Sequence, residues 1–273
     1  MSSRLSRRSF VHATSGLTAF GIVLDRSVPT AQAHSSNGSS STAPDWWPLQ
    51  DPAAVKEMVT VAHGDLQRVR ALVEHQPALA NAAVDWGYGD WEDALGAAAH
   101  TGRREIAEVL LAHGARISIF AAAMLGHLDV VKALVAAHPG IQRTHGPHGI
   151  PLLHHAQAGG PQAEPVVKFL ESLGDAARRT PGQALDPADR KAVVGKYVFG
   201  AGPRDHFIVD VRNDALGIER PGTARRGLTH AGGLVFFPAG APAVKIAFVR
   251  EGARVTQLTV ADPEVFITAK RES

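Results

Sequence analysis

The chain has 273 residues, of which 45% are hydrophobic and 20% charged, and this composition is typical of a globular protein rather than a disordered one. The absence of cysteine excludes disulfides, thiolate metal sites and cysteine nucleophiles, and it leaves 14 histidines as the prominent chemistry. The net charge of +2 comes from the segment 1–33, which contains four arginines and one aspartate, so the rest of the chain is close to neutral. We therefore expect no general nucleic-acid ligand.

Residues 1–33 have the pattern of an export signal. Arg7 and Arg8 end a basic stretch, an uncharged apolar run follows, and Ala31 and Ala33 form an A-x-A cleavage pattern. Residues 6–11 (SRRSFV) resemble the twin-arginine motif, which implies export of an already folded protein. An uncleaved anchor is the alternative, but the run is shorter than the roughly 20 apolar residues of a membrane span.

These features predict a bacterial protein that is periplasmic or secreted and has no stable membrane span after cleavage. Residues 34–49 begin with a run rich in serine, which cannot bury apolar surface. This segment is expected to be a flexible tether between the leader and the folded part.

Between residues 50 and 176 apolar residues recur at helical spacing, with glycine-containing turns between the helices. The residues around Gly102 and Gly126 align without a gap, each with an alanine-rich helix before the glycine and an amphipathic one after it. Weaker copies surround Gly64 and Pro151. The copies resemble the ankyrin repeat, with about four repeats of which the outer ones are degenerate. The resemblance implies a helical solenoid that binds a protein partner on its inner helices and loops.

Two long loops of this segment are candidate binding surfaces. The first contains Trp86, Tyr88 and Trp91, whose rings are the type of rigid anchor that dominates protein interfaces. The alternative for the two tryptophans is that they cover the edge of the first repeat. The second loop contains His145 and His148, which we predict to lie at a recognition tip.

Histidines are concentrated in and after the second loop. Five lie close together in the sequence: His138, His145, His148, His154 and His155. Imidazole is a common metal ligand, so the last four are weak metal candidates. No fixed-spacing metal motif occurs, and no carboxylate lies inside the cluster. The ankyrin resemblance implies a loop-fixing role for His154, so structural use is favoured and no cofactor is predicted.

After a polar linker at residues 177–191, short β-rich runs alternate with Gly, Pro and Asn turns from residue 192 to residue 273. Eight strands are predicted, over residues 194–199, 207–212, 215–219, 227–230, 234–238, 244–250, 255–260 and 265–270. Their pattern is typical of a meander that closes into a small barrel. It resembles the lipocalin-like accessory domain found after serine β-lactamase-like peptidases, which carries no catalytic residue.

The predicted fold class is therefore α+β multidomain, with an ankyrin-type α-solenoid followed by a small antiparallel β-barrel or meander. No serine-hydrolase, P-loop or dinucleotide motif is complete in the sequence, so no catalytic residue is predicted. The predicted function is that of an exported, non-catalytic protein that holds a protein partner of unknown identity in the cell envelope. The alternatives are a metal-binding protein or enzyme centred on the histidines, and a carrier of a small ligand in the β domain.

Overall fold

The computed structural model describes residues 43–178, 182–263 and 265–272. The predicted leader, with Arg7, Arg8, Ala31 and Ala33, and residues 34–42 of the predicted tether lie outside these ranges. Within the described ranges, no helix has both the length and the apolar character needed to cross a bilayer.

The N-terminal part of the described chain is helical. Its helices are α1 (Pro52–Val61), α2 (Leu66–His75), α3 (Ala94–His100), α4 (Arg104–Ala112), α5 (Ile119–Leu125), α6 (Leu128–Ala137), α7 (Leu152–Ala158) and α8 (Glu164–Leu173). Side-chain oxygens of Asp51, Asp65, Asp93 and Ser118 accept backbone N–H groups at the starts of α1, α2, α3 and α5.

One row of helices forms the centre of the helical part. Helix α3 packs between α1 and α5, and α5 packs between α3 and α7. The facing positions are small: residues 97–99 of α3 and 121–123 of α5 are all alanine and fully buried. Small side chains allow close helix approach, so this row brings the ends of α1, α3 and α7 near one another.

A β-hairpin interrupts the helices. Strands β1 (Ala83–Asp85) and β2 (Trp91–Asp93) pair antiparallel between α2 and α3. Four 3-10 segments occupy other connections, at Pro77–Asn81, Ile141–Arg143, Pro147–Gly149 and Gly160–Ala163.

The C-terminal part is a closed antiparallel barrel in which each strand pairs with its neighbours in chain order and the last pairs with the first. Its strands are β3 (Gly195–Val198), β4 (His206–Arg212), β5 (Ala215–Glu219), β6 (Arg226–Gly232), β7 (Val235–Pro238), β8 (Lys245–Glu251), β9 (Arg254–Asp262) and β10 (Val265–Arg271). Side chains alternate between the two faces of each strand, and this alternation directs Tyr197, Phe236, Ile246 and Leu258 into the barrel interior, where they are buried.

A further helix, α9 (Pro187–Val193), begins in the predicted linker and ends two residues inside the predicted β domain. The Tyr197 hydroxyl donates to the Val193 carbonyl oxygen at 2.7 Å, and Arg271 donates to the carbonyl oxygens of Ala192 and Val194 at 2.9 and 2.6 Å. These bonds hold α9 against the barrel.

The predicted fold class is wrong in its helical half. The helices do not form an ankyrin-type α-solenoid, because a hairpin and four 3-10 segments break the regular repeat of turn and helix pair. The interval from Gly64 to Gly102 is longer than the interval from Gly102 to Gly126, and the additional chain forms the hairpin. The closed barrel is consistent with the β part of the prediction.

His155 is the one fully buried histidine among the described residues, and it lies in α7. Its Nδ1 donates to the Pro151 carbonyl oxygen at 3.0 Å, one helical turn earlier in the chain. Burial lowers the pKa of His155 to about 4, so the folded protein holds this ring neutral.

We predict that His155 makes the protein acid-sensitive. Because its folded pKa lies below the unfolded value of 6.5, its contribution is complete above pH 6.5 and is lost as pH falls toward 4. At pH 5 this loss is about 2 kcal/mol relative to pH 8. Between pH 8 and pH 5, the free energy of unfolding measured with urea should fall less for His155→Asn than for wild type. His75→Asn, at an exposed position of α2, should keep the wild-type loss; equal losses in all three proteins would contradict the assignment.

Candidate metal centre

Four metal-ligating side chains from separate elements converge beside the hairpin. We call them the His–Glu cluster, and its members are His63, Glu92, His100 and His148. His63 follows α1, Glu92 is central in β2, and His100 ends α3. His148 lies in the 3-10 segment Pro147–Gly149 with a φ of 60°. The packing of α1 against α3, and of β2 against α3 and the 3-10 segment, brings them together.

Each residue directs one ligand atom at a common point. The Nε2 atoms of His63 and His100 are 3.2 Å apart. Glu92 Oε1 lies 2.9 Å from His100 Nε2, 3.6 Å from His63 Nε2 and 3.3 Å from His148 Nε2. All four atoms lie within 4.8 Å of one another.

Hydrogen bonds outside the cluster orient its members. His63 Nδ1 lies 3.0 Å from the Val59 carbonyl oxygen, so it donates and leaves Nε2 as the acceptor atom. The indole of Trp86 donates to Glu92 Oε2 at 2.6 Å, which turns Oε1 toward the histidines. His148 Nδ1 lies 2.7 Å from Asp90 Oδ2, and its backbone N–H donates to Asp90 Oδ1 at 2.7 Å. Such bonds fix the tautomer and orientation of metal-ligating side chains.

The side chains of the His–Glu cluster compensate one another's charges. Burial opposes ionisation of Glu92, but hydrogen bonds from His100 and His148 outweigh it and hold the pKa of Glu92 at about 2. Burial also disfavours charge on His148, but its bonds to Asp90 and Glu92 raise its pKa to about 9. Glu92 is completely buried, so its negative charge depends on these partners.

The spacing fits a four-coordinate ion. Four ligands at 2.0–2.1 Å from a central zinc ion, placed at the corners of a tetrahedron, lie about 3.3 Å from one another. Four of the six pairs of ligand atoms, which are the contacts above, lie 2.9 to 3.6 Å apart and surround this value, and the two pairs between His148 and the other histidines lie within 4.8 Å. Imidazole nitrogen and carboxylate oxygen are both zinc ligands.

A cavity connects the cluster with the surface. Its volume is about 340 Å³, and His63, Glu92, His148 and Trp86 line its inner wall. Its other wall comes from the barrel, at residues 224–227 and Ala239. The cavity gives an ion or small molecule a path to the ligand atoms.

Of the four histidines predicted as weak metal candidates, the structure brings His148 into the cluster. His145 Nε2 instead donates to the Arg178 carbonyl oxygen at 2.7 Å. His154 is exposed on α7, and His155 is buried in the core beside it. The ring centroid of His155 is 6.4 Å from that of His100, so it packs behind the cluster.

The aromatic residues predicted as binding anchors occupy three different environments. Trp86 is half-buried against the helical core and bonds Glu92. Tyr88 packs against the core of the barrel. Trp91 is 64% exposed, and with His145 it lines a second cavity of about 350 Å³. Trp91 is the most exposed of these three rings.

His63, Glu92 and His100 are not among the sequence predictions. Their separations along the chain match no metal motif. One signal in the sequence could have indicated the two histidines: both come just before a glycine turn, Gly64 or Gly102, at the end of a predicted helix. Equivalent ends of neighbouring helix pairs lie on the same side of a stack, so these rings were candidates for contact.

No protein-family model matches the chain. A protein of Oryza sativa subsp. japonica named "Probable E3 ubiquitin-protein ligase XBOS32" is 32% identical over 118 residues, which cover 40% of this chain and 23% of that protein. The chain therefore spans less than a quarter of the length of this relative. The relative has an enzyme name, so the similarity does not support the prediction that this chain is not an enzyme. The ankyrin and lipocalin-like resemblances stay predictions.

We predict that Trp86 and Trp91 differ in their importance for stability. Trp86→Ala removes core packing and the bond to buried Glu92, so it should lower the free energy of unfolding by about 3 kcal/mol. Trp91→Ala removes a mostly exposed ring and should change it by less than about 0.5 kcal/mol. Urea unfolding of the two variants measures both values, and similar losses would show that Trp91 is also structural.

Proposed function

We propose that the protein binds one divalent transition-metal ion, with zinc as the ion that suits the ligand set, at His63, Glu92, His100 and His148. The observation that carries the proposal is the convergence of three Nε2 atoms and one carboxylate oxygen within 4.8 Å of one another. Ordinary surface ion pairs would not need three imidazole rings whose Nε2 atoms all face one point, so this arrangement favours a metal site.

The outer hydrogen bonds support this function. A histidine that is a metal ligand through Nε2 generally donates its Nδ1–H to a carbonyl or carboxylate oxygen. His63 does so to a backbone carbonyl oxygen and His148 to Asp90. The bond from Trp86 occupies Oε2 of Glu92 and leaves Oε1 facing the three histidines.

The ligand number favours binding over catalysis. Catalytic zinc sites keep a position for water beside three protein ligands, whereas structural sites are closed by four. With Glu92 as the fourth ligand, His63, His100, His148 and Glu92 would together supply four protein ligands, the number found in structural zinc sites. The proposed ion joins the turn after α1, the hairpin, the end of α3 and the segment at His148.

The proposed location of this function is outside the cytoplasm, and it rests on the predicted leader at residues 1–33. The similarity to the rice relative covers only 23% of that protein, so it supports no proposal of ligase activity for this chain.

The test is a zinc titration of the purified, chelator-treated protein. We expect one zinc ion per chain, and at 100 times the dissociation constant the ion should stabilise the fold by about 2.7 kcal/mol. His100→Ala removes a ligand and should weaken binding by at least about 100-fold, because outer hydrogen bonds alone contribute about 10- to 100-fold. His154→Ala is the matched control, since this exposed histidine lies outside the cluster, and it should bind as wild type.

Two results would contradict the proposal. One is the absence of saturable zinc binding by folded wild type. The other is equal loss of affinity in His100→Ala and His154→Ala, which would indicate non-specific binding by surface histidines.

A second candidate function is the binding of a protein partner, and the exposure of Trp91 favours it. The indole is 64% exposed and lies beside the cavity lined by Phe120, Pro147 and His145. Large exposed aromatic rings next to a concave surface are typical of interface anchors.

We predict that a photocrosslinking residue at position 91 captures one defined protein in cells that export this chain. Phe266 of β10 is the control position, because it is also an exposed aromatic residue, at 71%, but lies on the barrel. Mass spectrometry of the crosslinked products identifies the partner. The same products from both positions, or none from position 91, would contradict a binding role for Trp91.

A further inference from the structure

The barrel contributes a buried charge beside the proposed metal centre. Arg226 is the first residue of β6, and its side chain is only 7% exposed. Its guanidinium pairs with Asp90 Oδ2 at the tip of the hairpin and also donates to the Ala239 carbonyl oxygen. An arginine buried to this degree needs partners for its charge, and the carboxylate of Asp90 is the charged one.

Asp90 connects Arg226 with a proposed metal ligand. Its side chain is 4% exposed, and it accepts both the backbone N–H and the Nδ1–H of His148. The order of contacts is thus Arg226, Asp90, His148 and then the ligand atom Nε2. Arg226 contacts Asp90 directly and lies 3.3 Å from His148 Nδ1, but it contributes no ligand atom of its own.

The backbone at this contact is unusually close. A Cβ atom on Gly240, in the turn after β7, would lie 3.1 Å from Asp90 Oδ1 and 3.2 Å from the nitrogen of Gly149. Gly149 has a φ of +69° and Gly240 a φ of +83°, so both positions favour glycine for a second reason. The two glycines let the turn of the barrel reach the segment that holds His148.

We propose that Arg226 is a positioning residue through which the barrel sets the metal affinity of the His–Glu cluster. This inference rests on the proposed function. Asp90 holds the His148 ring with Nε2 toward the other ligands, and Arg226 holds Asp90 and compensates its buried charge. Without Arg226 the buried carboxylate of Asp90 loses its ion-pair partner from the barrel, so it shifts from its position and His148 loses its orientation.

The test compares zinc affinity in four proteins, by competition with a chromophoric chelator. Relative to wild type, Arg226→Met should weaken binding by about 10- to 100-fold, which is the usual effect of losing an outer hydrogen-bond partner. Arg226→Lys keeps a positive charge and should recover part of the loss. Arg271→Met is the control for general damage to the barrel, because Arg271 bonds carbonyl oxygens next to α9 and no residue of the cluster. It should bind zinc as wild type.

A double-mutant cycle tests the route through Asp90. If Arg226 acts through this carboxylate, Arg226→Met should weaken zinc binding little further in a protein that already has Asp90→Asn. The visible spectrum of the Co²⁺-loaded protein reports the coordination geometry, and it should change in Arg226→Met but not in Arg271→Met. A purely structural role of Arg226 would not change this spectrum.

The outcomes separate the two proposals. Failure of wild type to bind zinc overturns the proposed function. Zinc binding by wild type, with unchanged affinity in folded Arg226→Met, overturns the role of Arg226 alone. Additive effects of the Arg226 and Asp90 substitutions also overturn it. If Arg226→Met does not fold, Arg226→Gln replaces it, because it removes the charge and keeps a polar side chain; wild-type affinity and an unchanged Co²⁺ spectrum in folded Arg226→Gln would overturn the inference.

Discussion

The structure around the hairpin depends on one constraint, which is that the fully buried carboxylate of Glu92 must be compensated. Without partners, a buried carboxylate takes up a proton. Here, His100 and His148 contact one oxygen and Trp86 the other. These partners come from α3, the segment Pro147–Gly149 and the hairpin tip, so the position of Glu92 determines how these three elements meet. Trp86 is half-buried because its indole must reach the buried Oε2 atom of Glu92.

The series of neighbouring opposite charges extends from Glu92 outward to the barrel. The charge that His148 acquires beside Glu92 is matched by Asp90, and the charge of Asp90 is matched by Arg226. Two carboxylates and two cations alternate in this series, so each of these charges has a neighbour of opposite sign. Because Arg226 begins β6, the barrel is part of the electrostatic environment of the cluster. Replacing either cation would leave a buried negative charge, which costs more than a surface ion pair contributes.

Local patterns account for the parts of the fold that the sequence predicts. The alternation of Phe207, Val209 and Val211, and the turn at residues 213–214, are sufficient to identify β4, β5 and the connection between them. The same alternation around Phe236 and Phe248 identifies the neighbouring barrel strands. The helical spacing along the middle of the chain likewise identifies α3 to α6.

Periodicity does not show what fills an irregular connection, and this is why the prediction of an ankyrin-type α-solenoid is wrong. One such connection contains β1 and β2, and with them Glu92. Among the four residues of the His–Glu cluster, the sequence predicts only His148 as a metal candidate. The other members meet through contacts between distant parts of the chain, such as that between His63 and His100, and these contacts depend on helix packing and hairpin register.

The arrangement of charges also bears on how a metal would enter. In zinc sites that fold with the ion, the ligands are apart until the metal arrives. In the His–Glu cluster, hydrogen bonds among the ligands and to Asp90, Trp86 and Val59 already hold the ligand atoms at metal-binding spacing. A metal ion would then replace the protons shared between Glu92 and the histidines, with little movement of the backbone. Affinity in such a site depends on how well the outer residues maintain this arrangement, and much less on the energy of folding a loop. Arg226 contributes to metal affinity for this reason, because its charge keeps the carboxylate of Asp90 in place.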